Sequence, residues 1–397
     1  MGTVRAMSDP TPDRQPRSTR AAERREHQRR RRRTVIVGCV VAVLVAAAGG
    51  AFLVLRGGDD PSNAPASVRA AGATTTTAEA TTTTATTVPT AAPTTTLAAG
   101  ALSAIDTSRR YPVGTSQATF VDSSRSTSPN GDFAGAATRT IPVEYFYPAE
   151  GQAAGSGDGD SVAGASPDRA HGPYPLILFS HGYAVTPEFY RPLLERWAAA
   201  GYVVAAPVYP ILSGTPGGAS HTDYEKTFDD AGFVITQVLA LPASDPLSGM
   251  VDPERIAAAG HSDGEVIAFA QGLLACCRDD RVKAVLAMAG DLSNANNPNV
   301  RNAGVPILHI METDDEYDPY QHSIDWDREN LDPPRWMLSL PGSSHVPPYT
   351  QPGNAAFELV SAATIDFFDG TLKGHPEQLD AMAQLVAASN GVGTLER

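Results

Sequence analysis

At 397 residues, 42% of them hydrophobic, the chain holds enough apolar material for one large domain or two ordinary ones. Its formal net charge is −14, but residues 1–33 carry 11 arginines against four acidic residues, a net of +7, so the remainder carries −21. An acidic, aromatic-poor body with its positive charge confined to one end excludes a nucleic-acid binder, whose basic residues would line the folded surface.

The arginines have a different use. Thr34 to Leu55 is an uncharged, mostly apolar run of 22 residues directly after Arg29 to Arg33. At about 1.5 Å rise per residue such a run is long enough to cross a hydrocarbon core of about 30 Å. Only Arg56 and then Asp59 and Asp60 follow it, so the positive-inside rule puts the N-terminus in the cytoplasm and the rest of the chain outside the cell. A buried core helix is seldom apolar on every face over this length. Ala46 to Gly50 offers small residues to a signal peptidase, but the charged leader and long apolar run favour an uncleaved anchor. Ile36 to Cys39 resembles a lipobox, yet the apolar stretch follows the cysteine instead of preceding it, so the match is read as chance.

From about Asp60 to Gly100 the chain is Thr, Ala and Pro, including Thr74 to Thr77 and Thr81 to Thr84. Such a segment cannot bury enough apolar surface to offset the entropy of ordering, which predicts an extended, disordered linker suited to O-glycosylation.

A third region begins near Leu102, where short apolar runs alternate with helical patterns. Thr140 to Tyr147, Pro175 to Ser180, Val203 to Val208, Arg255 to Gly260, Val282 to Ala289, Val305 to Met311 and Arg335 to Leu340 read as strands. Helices are predicted over Glu188 to Ala200, Tyr224 to Leu241, Gly264 to Ala275 and Ala355 to Phe368, and a Gly, Ser and Asp-rich surface loop over Ala149 to His171. This alternation predicts an α/β domain with a mostly parallel central sheet and helices on both faces. The expected division is a basic cytoplasmic segment (1–33), a transmembrane helix (34–55), a linker (56–101) and a catalytic domain (102–397).

Gly260-His261-Ser262-Asp263-Gly264 follows the strand pattern RIAAA and opens a helix, the setting of a nucleophile elbow. A serine hydroxyl is a poor nucleophile at neutral pH. It needs a neutral histidine to take its proton and a carboxylate to orient that histidine, both expected after later strand ends. His345 lies in PGSSHVPPY, between the last strand pattern and the closing helix, and of the nine histidines it alone meets both conditions. His309, inside a strand, and His322, in a following helix, read as structural. For the acid, the order of preference is Asp315, then Asp314, both after VPILHIM, and then Asp291 after the preceding strand. An oxyanion needs two backbone N–H donors. Asp263, directly after Ser262, supplies one, and the His181-Gly182-Tyr183 turn after PLILFS supplies the N–H of Tyr183.

These segments resemble a known group, the α/β-hydrolases close to platelet-activating-factor acetylhydrolases, chlorophyllase-like proteins and cutinase-like polyester hydrolases. The resemblance rests on YPLILFSHGYAVTPEFYRPLLERWAAAGYVV, AGHSDGE, VPILHIMETDDEYDP and LPGSSH, and spans roughly Tyr111 to Gly374; YPVGTSQATFVDSSR and RTIPVEYFYPA look like the first strands of the group. It implies the α/β-hydrolase fold, Ser262 as nucleophile, His345 as base and oxyanion N–H groups from Tyr183 and Asp263. Cutinase-like members carry the acid where Asp315 stands, whereas acetylhydrolases carry it near Asp291. Asp263 and Glu265 depart from the cutinase pattern, which has Met and Gly, and their charge beside the nucleophile predicts that anionic esters are disfavoured.

Cys276 and Cys277 stand side by side at the end of the elbow helix, where a strained neighbour bridge and two free buried thiols are the alternatives. With Cys39 in the membrane, no disulfide framework or cysteine metal site can be built. Asp314, Glu316 and Asp318 alternate as in a calcium loop, but Pro319 stands where that loop needs Gly. The expected activity is hydrolysis of a carboxylic ester through an acyl-serine intermediate, with no cofactor and no metal. The partners expected are an ester substrate, whether lipid, polymer or small molecule, and the membrane; oligomeric state is not legible. A peptidase or amidase with the same triad, or a non-catalytic cell-envelope binding protein on the same fold, are the rivals.

Overall fold

The continuous apolar runs become strands buried on both sides, as the alternation of helix and strand requires. The structure is a computed structural model that describes residues 105–152, 161–295, 300 and 304–397. Its strands are β1 (Val113–Asp122), β2 (Arg139–Pro148), β3 (Val162–Ala163), β4 (Tyr174–Ser180), β5 (Val203–Pro207), β6 (Val251–His261), β7 (Val282–Met288), β8 (Ile307–Glu312), β9 (Arg335–Leu340) and β10 (Thr394–Glu396). The principal helices are α1 (Arg191–Ala199), α2 (Lys226–Leu239), α3 (Asp263–Leu273), α4 (Tyr320–Asn330), α5 (Ala355–Leu372) and α6 (Gln378–Ala387).

The strands form one sheet in the order β10-β9-β8-β7-β6-β4-β5-β2-β1-β3. The block from β5 through β4, β6, β7 and β8 to β9 is parallel, while β2 pairs antiparallel with both β1 and β5, and β10 with β9. Side chains alternate between two cores. Ile177, Phe179, Ala257 and Ala259 pack with Leu194 and Trp197 of α1 and Phe367 of α5. Leu176, Leu178, Ile256 and Ala258 pack instead with Val234 of α2 and Ile267 of α3. A strand covered on both faces has no polar side to show, which is why PLILFS and RIAAA lack the period-two pattern of a half-exposed strand.

The strand order reverses around β4: β5 lies to one side and β6 to the other. Loops leaving the carboxyl ends of β4 and β6 therefore diverge around a crevice, the place where open α/β sheets bind ligands. Helix α3 ends at Leu273, short of the expected Ala275, and Gly264 through Leu273 are all buried. The loop expected over Ala149 to His171 contains the two-residue β3, which pairs with β1. Among the described residues no helix is long and apolar enough to cross a membrane. The run Thr34 to Leu55 and the Thr-rich segment lie outside those residues.

One buried ion cluster ties the antiparallel edge to the loop before α2. Arg139 is fully buried; its Nε and Nη2 donate to the Asp230 carboxylate, Nε at 2.8 Å to Oδ1, and Nη1 donates to Asp223 Oδ2 at 2.7 Å. Asp223 Oδ2 also accepts the Ser128 N–H at 2.9 Å. Arg125 also bonds Asp230 at 2.7 Å and Lys226 meets Asp223 at 3.0 Å, so removing Arg139 leaves each of two buried carboxylates with a single, more exposed cation in a low-dielectric interior. Arg139→Ala is therefore expected to lower unfolding stability by about 3 kcal/mol or more. Urea denaturation checks this, and a loss below about 0.5 kcal/mol would contradict a dry, coupled cluster.

Candidate active site

The elbow is built by two close approaches of backbone. A Cβ on Gly260 would stand 1.9 Å from the Gly264 carbonyl oxygen, and one on Gly264 would stand 2.1 Å from that of Ser180. Only glycine fits at either place. Between β6 and α3, Ser262 adopts φ 57° and ψ −125°, a conformation that costs a non-glycine residue about 1–3 kcal/mol. Hydrogen bonds hold it there: the Ser262 N–H donates to the Met288 carbonyl at 2.9 Å, and the Glu265 N–H to the Ser262 carbonyl at 2.9 Å. The side chain thus stands at the carboxyl end of β6, partly exposed, at the start of a helix.

Facing it is the loop after β4. His181 is wholly buried, and its Nδ1–H donates to the Gly182 carbonyl at 2.7 Å while Nε2 accepts the Tyr209 N–H at 3.0 Å. Burial pushes the His181 pKa down to about 4, so the ring is neutral, as this pair of bonds requires. Because a peptide is planar and trans, holding the Gly182 carbonyl on one side turns the Tyr183 N–H to the other. A Cβ on Gly182 would come within 3.1 Å of Ser262 Cβ, so the loop passes directly against the serine. Among the described residues, the backbone N–H groups of Tyr183 and Asp263 have no internal acceptor.

His345 lies in the loop after β9 and is 6% exposed. Its Nδ1–H donates to Asp315 Oδ2 at 2.7 Å. The Asp315 side chain is fully buried, and its Oδ1 accepts the N–H groups of Tyr317 at 2.7 Å and Asp318 at 2.9 Å, so three donors orient the carboxylate. The loops are tied together by the Thr313 N–H to the Leu340 carbonyl at 3.2 Å and the Asp314 N–H to the Ser343 carbonyl at 3.1 Å. Burial opposes the His345 imidazolium, but the hydrogen bond and charge of Asp315, with Asp318 and Glu316 behind it, raise its pKa above the ordinary value.

The other two candidate acids sit elsewhere. Asp314 is exposed and accepts only the Thr313 hydroxyl at 3.1 Å among its side-chain bonds in the described residues. Asp291 is buried, accepts the Ser293 N–H at 3.0 Å and lies 3.1 Å from His322 Nδ1. Glu265 does not face the elbow, contrary to the expectation from its place in the motif. It is wholly buried, with Oε1 3.2 Å from His309 Nε2, while His309 Nδ1 bonds Asp327 of α4. Burial opposes the His309 imidazolium, yet Asp327 and Glu265 outweigh it and hold its pKa well above the ordinary value. Of the two extra acids in the motif, only Asp263 adds charge at the surface beside Ser262. The calcium pattern is not assembled either: among the described residues no group of three acidic, His or Cys side chains could hold a metal ion. Cys276 and Cys277 are joined by a disulfide, and Cys276 is exposed, so the buried-thiol alternative fails.

Two residues near the site had no distinguishing signal in the sequence. Tyr190 and His261 are both buried; the Gly182 N–H donates to the Tyr190 hydroxyl at 3.2 Å, and that hydroxyl donates to His261 Nδ1 at 2.9 Å. His261 Nε2–H in turn donates to the His345 carbonyl at 2.9 Å. Burial, then the neighbouring His345, push the His261 pKa well down, so a neutral ring links the loop after β4 to the backbone of His345.

The family model described as Chlorophyllase matches residues 151–290. That stretch contains Tyr183, Ser262 and Asp263 and ends before Asp315 and His345. Chlorophyllase-1 of Arabidopsis thaliana is 34% identical over 122 residues, covering 29% of this chain and 36% of that protein. The chain therefore spans about a third of the length of that curated relative. A solved ferulic acid esterase from Streptomyces cinnamoneus superposes with a TM-score of 0.52 at 23% identity, covering 70% of this chain and 94% of that one. The chain has the α/β-hydrolase fold. Its resemblance to chlorophyllases is confined to the matched stretch, and its likeness to the esterase is one of fold.

Proposed function

We propose that the chain is a serine hydrolase of carboxylic esters, with Ser262 as nucleophile, His345 as general base and acid, and Asp315 as the orienting carboxylate. The observation that carries this reading is a strained elbow serine whose neighbour His261 has its ring 4.7 Å from that of His345, a buried histidine whose Nδ1–H is bound to a buried carboxylate. With Nδ1 protonated, His345 presents the lone pair of Nε2, the tautomer a base needs. Similarity to a chlorophyllase and to a ferulic acid esterase favours an ester over an amide.

His345 takes the Ser262 proton as Oγ attacks the ester carbonyl, and the negative charge on the tetrahedral oxygen is met by the N–H groups of Tyr183 and Asp263. Collapse expels the alcohol, which receives the proton from His345, and leaves Ser262 acylated. Water then repeats the sequence, releasing the acid and restoring the serine. Asp263, part-exposed beside the nucleophile, disfavours substrates with a negative charge close to the scissile bond. Fluorophosphonate labelling with peptide mapping, followed by nitrophenyl esters of increasing chain length, tests the assignment. A label on Ser262 and turnover of at least one ester are expected; absence of both would overturn it.

The enzyme is further proposed to be anchored in the cell membrane by Thr34 to Leu55, with 102–397 outside, on the charge asymmetry around that run. On the Thr-, Ala- and Pro-rich composition of Asp60 to Gly100, external protease applied to intact cells should release a soluble, active fragment cut in that stretch. Complete protection until lysis would put the catalytic domain on the other side of the membrane.

A further inference from the structure

A segment with no role in the triad reaches across the proposed oxyanion site. Between β5 and α2 the chain runs from Val208 to Glu225 and folds back over the loop that carries Tyr183. It is tethered at both ends: the Ala184 N–H donates to the Leu212 carbonyl at 2.9 Å, and the Tyr183 hydroxyl donates to the Ala219 carbonyl at 2.8 Å. Asn130 Nδ2 donates to the carbonyls of Pro216 at 3.0 Å and Gly218 at 2.7 Å, and Asp223 is locked to the buried Arg139. The segment therefore presents His221 from a fixed frame.

His221 touches both residues whose N–H groups face the oxyanion. Its ring stacks on that of Tyr183 with centroids 4.6 Å apart and planes 21° from parallel. Its Nε2 meets Asp263 Oδ2 at 2.5 Å. Tyr224 completes the arrangement: its ring stands edge-on to His221 with centroids 5.5 Å apart, and its hydroxyl donates to the Asp263 carbonyl at 2.6 Å. Tyr183 lies in the loop after β4 and Asp263 opens α3 after β6, and the two N–H groups act together only if their separation is held.

We propose that His221 is a positioning residue that sets the spacing of the two oxyanion N–H donors by stacking on Tyr183 and binding the Asp263 carboxylate. This rests on the esterase reading above. Half of the His221 side chain is exposed, so its replacement leaves the cores intact. It acts on the transition state, where charge develops on the carbonyl oxygen, more than on the bound ester. The same contact places part of the Asp263 charge against an imidazole instead of the incoming substrate.

The test compares wild type with His221→Ala, His221→Gln, which keeps a hydrogen-bond donor without the ring, and His221→Phe, which keeps the ring without the donor. Nitrophenyl ester kinetics are measured alongside inhibition by a trifluoromethyl ketone, which forms a tetrahedral adduct with an oxyanion. His221→Ala is expected to lower kcat about tenfold with KM little changed, and to weaken the ketone in proportion to kcat/KM. His221→Gln and His221→Phe should each restore part of the loss. Unchanged kcat and ketone affinity in all three variants would overturn the proposal, as would a fall in melting temperature with both values intact. A wild-type protein with neither fluorophosphonate labelling nor ester turnover defeats the underlying esterase reading instead, before any variant is compared.

Discussion

Ser262→Ala is expected to abolish fluorophosphonate labelling and to lower ester turnover by on the order of 10⁵-fold or more, the scale seen when a nucleophile that acts as a unit with its base is removed. In the proposed mechanism the hydroxyl oxygen is the atom that becomes acylated, and its neighbours in the elbow, His261 and Asp263, carry no hydroxyl or thiol to replace it. The fold should survive, because the bonds that hold position 262 are made by its backbone, to Met288 and Glu265, and alanine retains both. Alanine at φ 57° meets the same strain as serine, so the melting temperature should stay within a few degrees of wild type. Labelling that persists at another residue would remove Ser262 from the mechanism; labelling lost together with the cooperative unfolding transition would show a structural role.

Asp315→Asn should be the next most damaging change, with a loss in kcat of about 10³- to 10⁴-fold. An amide at this place can donate its own N–H to His345 Nδ1, which favours the tautomer whose Nε2 carries the proton and cannot accept another. Asp314→Asn should have little effect, since that carboxylate is exposed and bound to Thr313. Asp291→Asn should disturb Ser293 and His322 but not the base. A pH profile separates the roles further. If His345 is the base as proposed, turnover requires its neutral form, so kcat/KM should rise as the imidazolium deprotonates, and the raised pKa places that limb above the ordinary histidine value of about 6.5. Burial opposes that charge and Asp315 sustains it, so residual activity in Asp315→Asn should show the limb displaced to lower pH. A larger loss from Asp291→Asn would shift the orienting acid to the strand before β8.

The central strands were readable because an apolar run bounded by turn residues has few other uses. Tyr174–Ser180 and Arg335–Leu340 match the runs expected there to within a residue at either end. Helix ends were less so: α3 stops at Leu273 although the following Leu274, Ala275 and the cysteines would all tolerate helix. Helix α4 carries little signal in the sequence beyond the place of His322. YQHSIDWDREN shows little apolar periodicity, and Ser323, Ile324 and Asp327 are the residues it buries, with Asp327 bound to His309. Helix α6 and β10 leave no clear signal in the sequence, because a terminal helix and a three-residue edge strand owe their stability to what they pack on.

At the site, the order of residues along the chain was sufficient to nominate Ser262, His345 and a short choice of acids, because an elbow between strand and helix leaves its signature in five consecutive residues, even though Gly264 packs on Ser180 and Ser262 bonds Met288. Choosing among Asp315, Asp314 and Asp291 required the three-dimensional arrangement. Neighbouring loop residues point in different directions, and it is the bonds from Thr313 and Asp314 to the loop after β9 that turn Asp315 toward His345. The seat of Glu265 was likewise invisible from its motif: it faces His309 because α3 turns that side inward against β8. His221 is separated from Tyr183 by 38 positions and from Asp263 by 42, and local pattern carries no information about such pairs. Their meeting depends on how β4, β5 and β6 are ordered in the sheet and on the buried Arg139 cluster that fixes the intervening loop, since contacts between distant segments arise only when the packed layers bring them to the same edge.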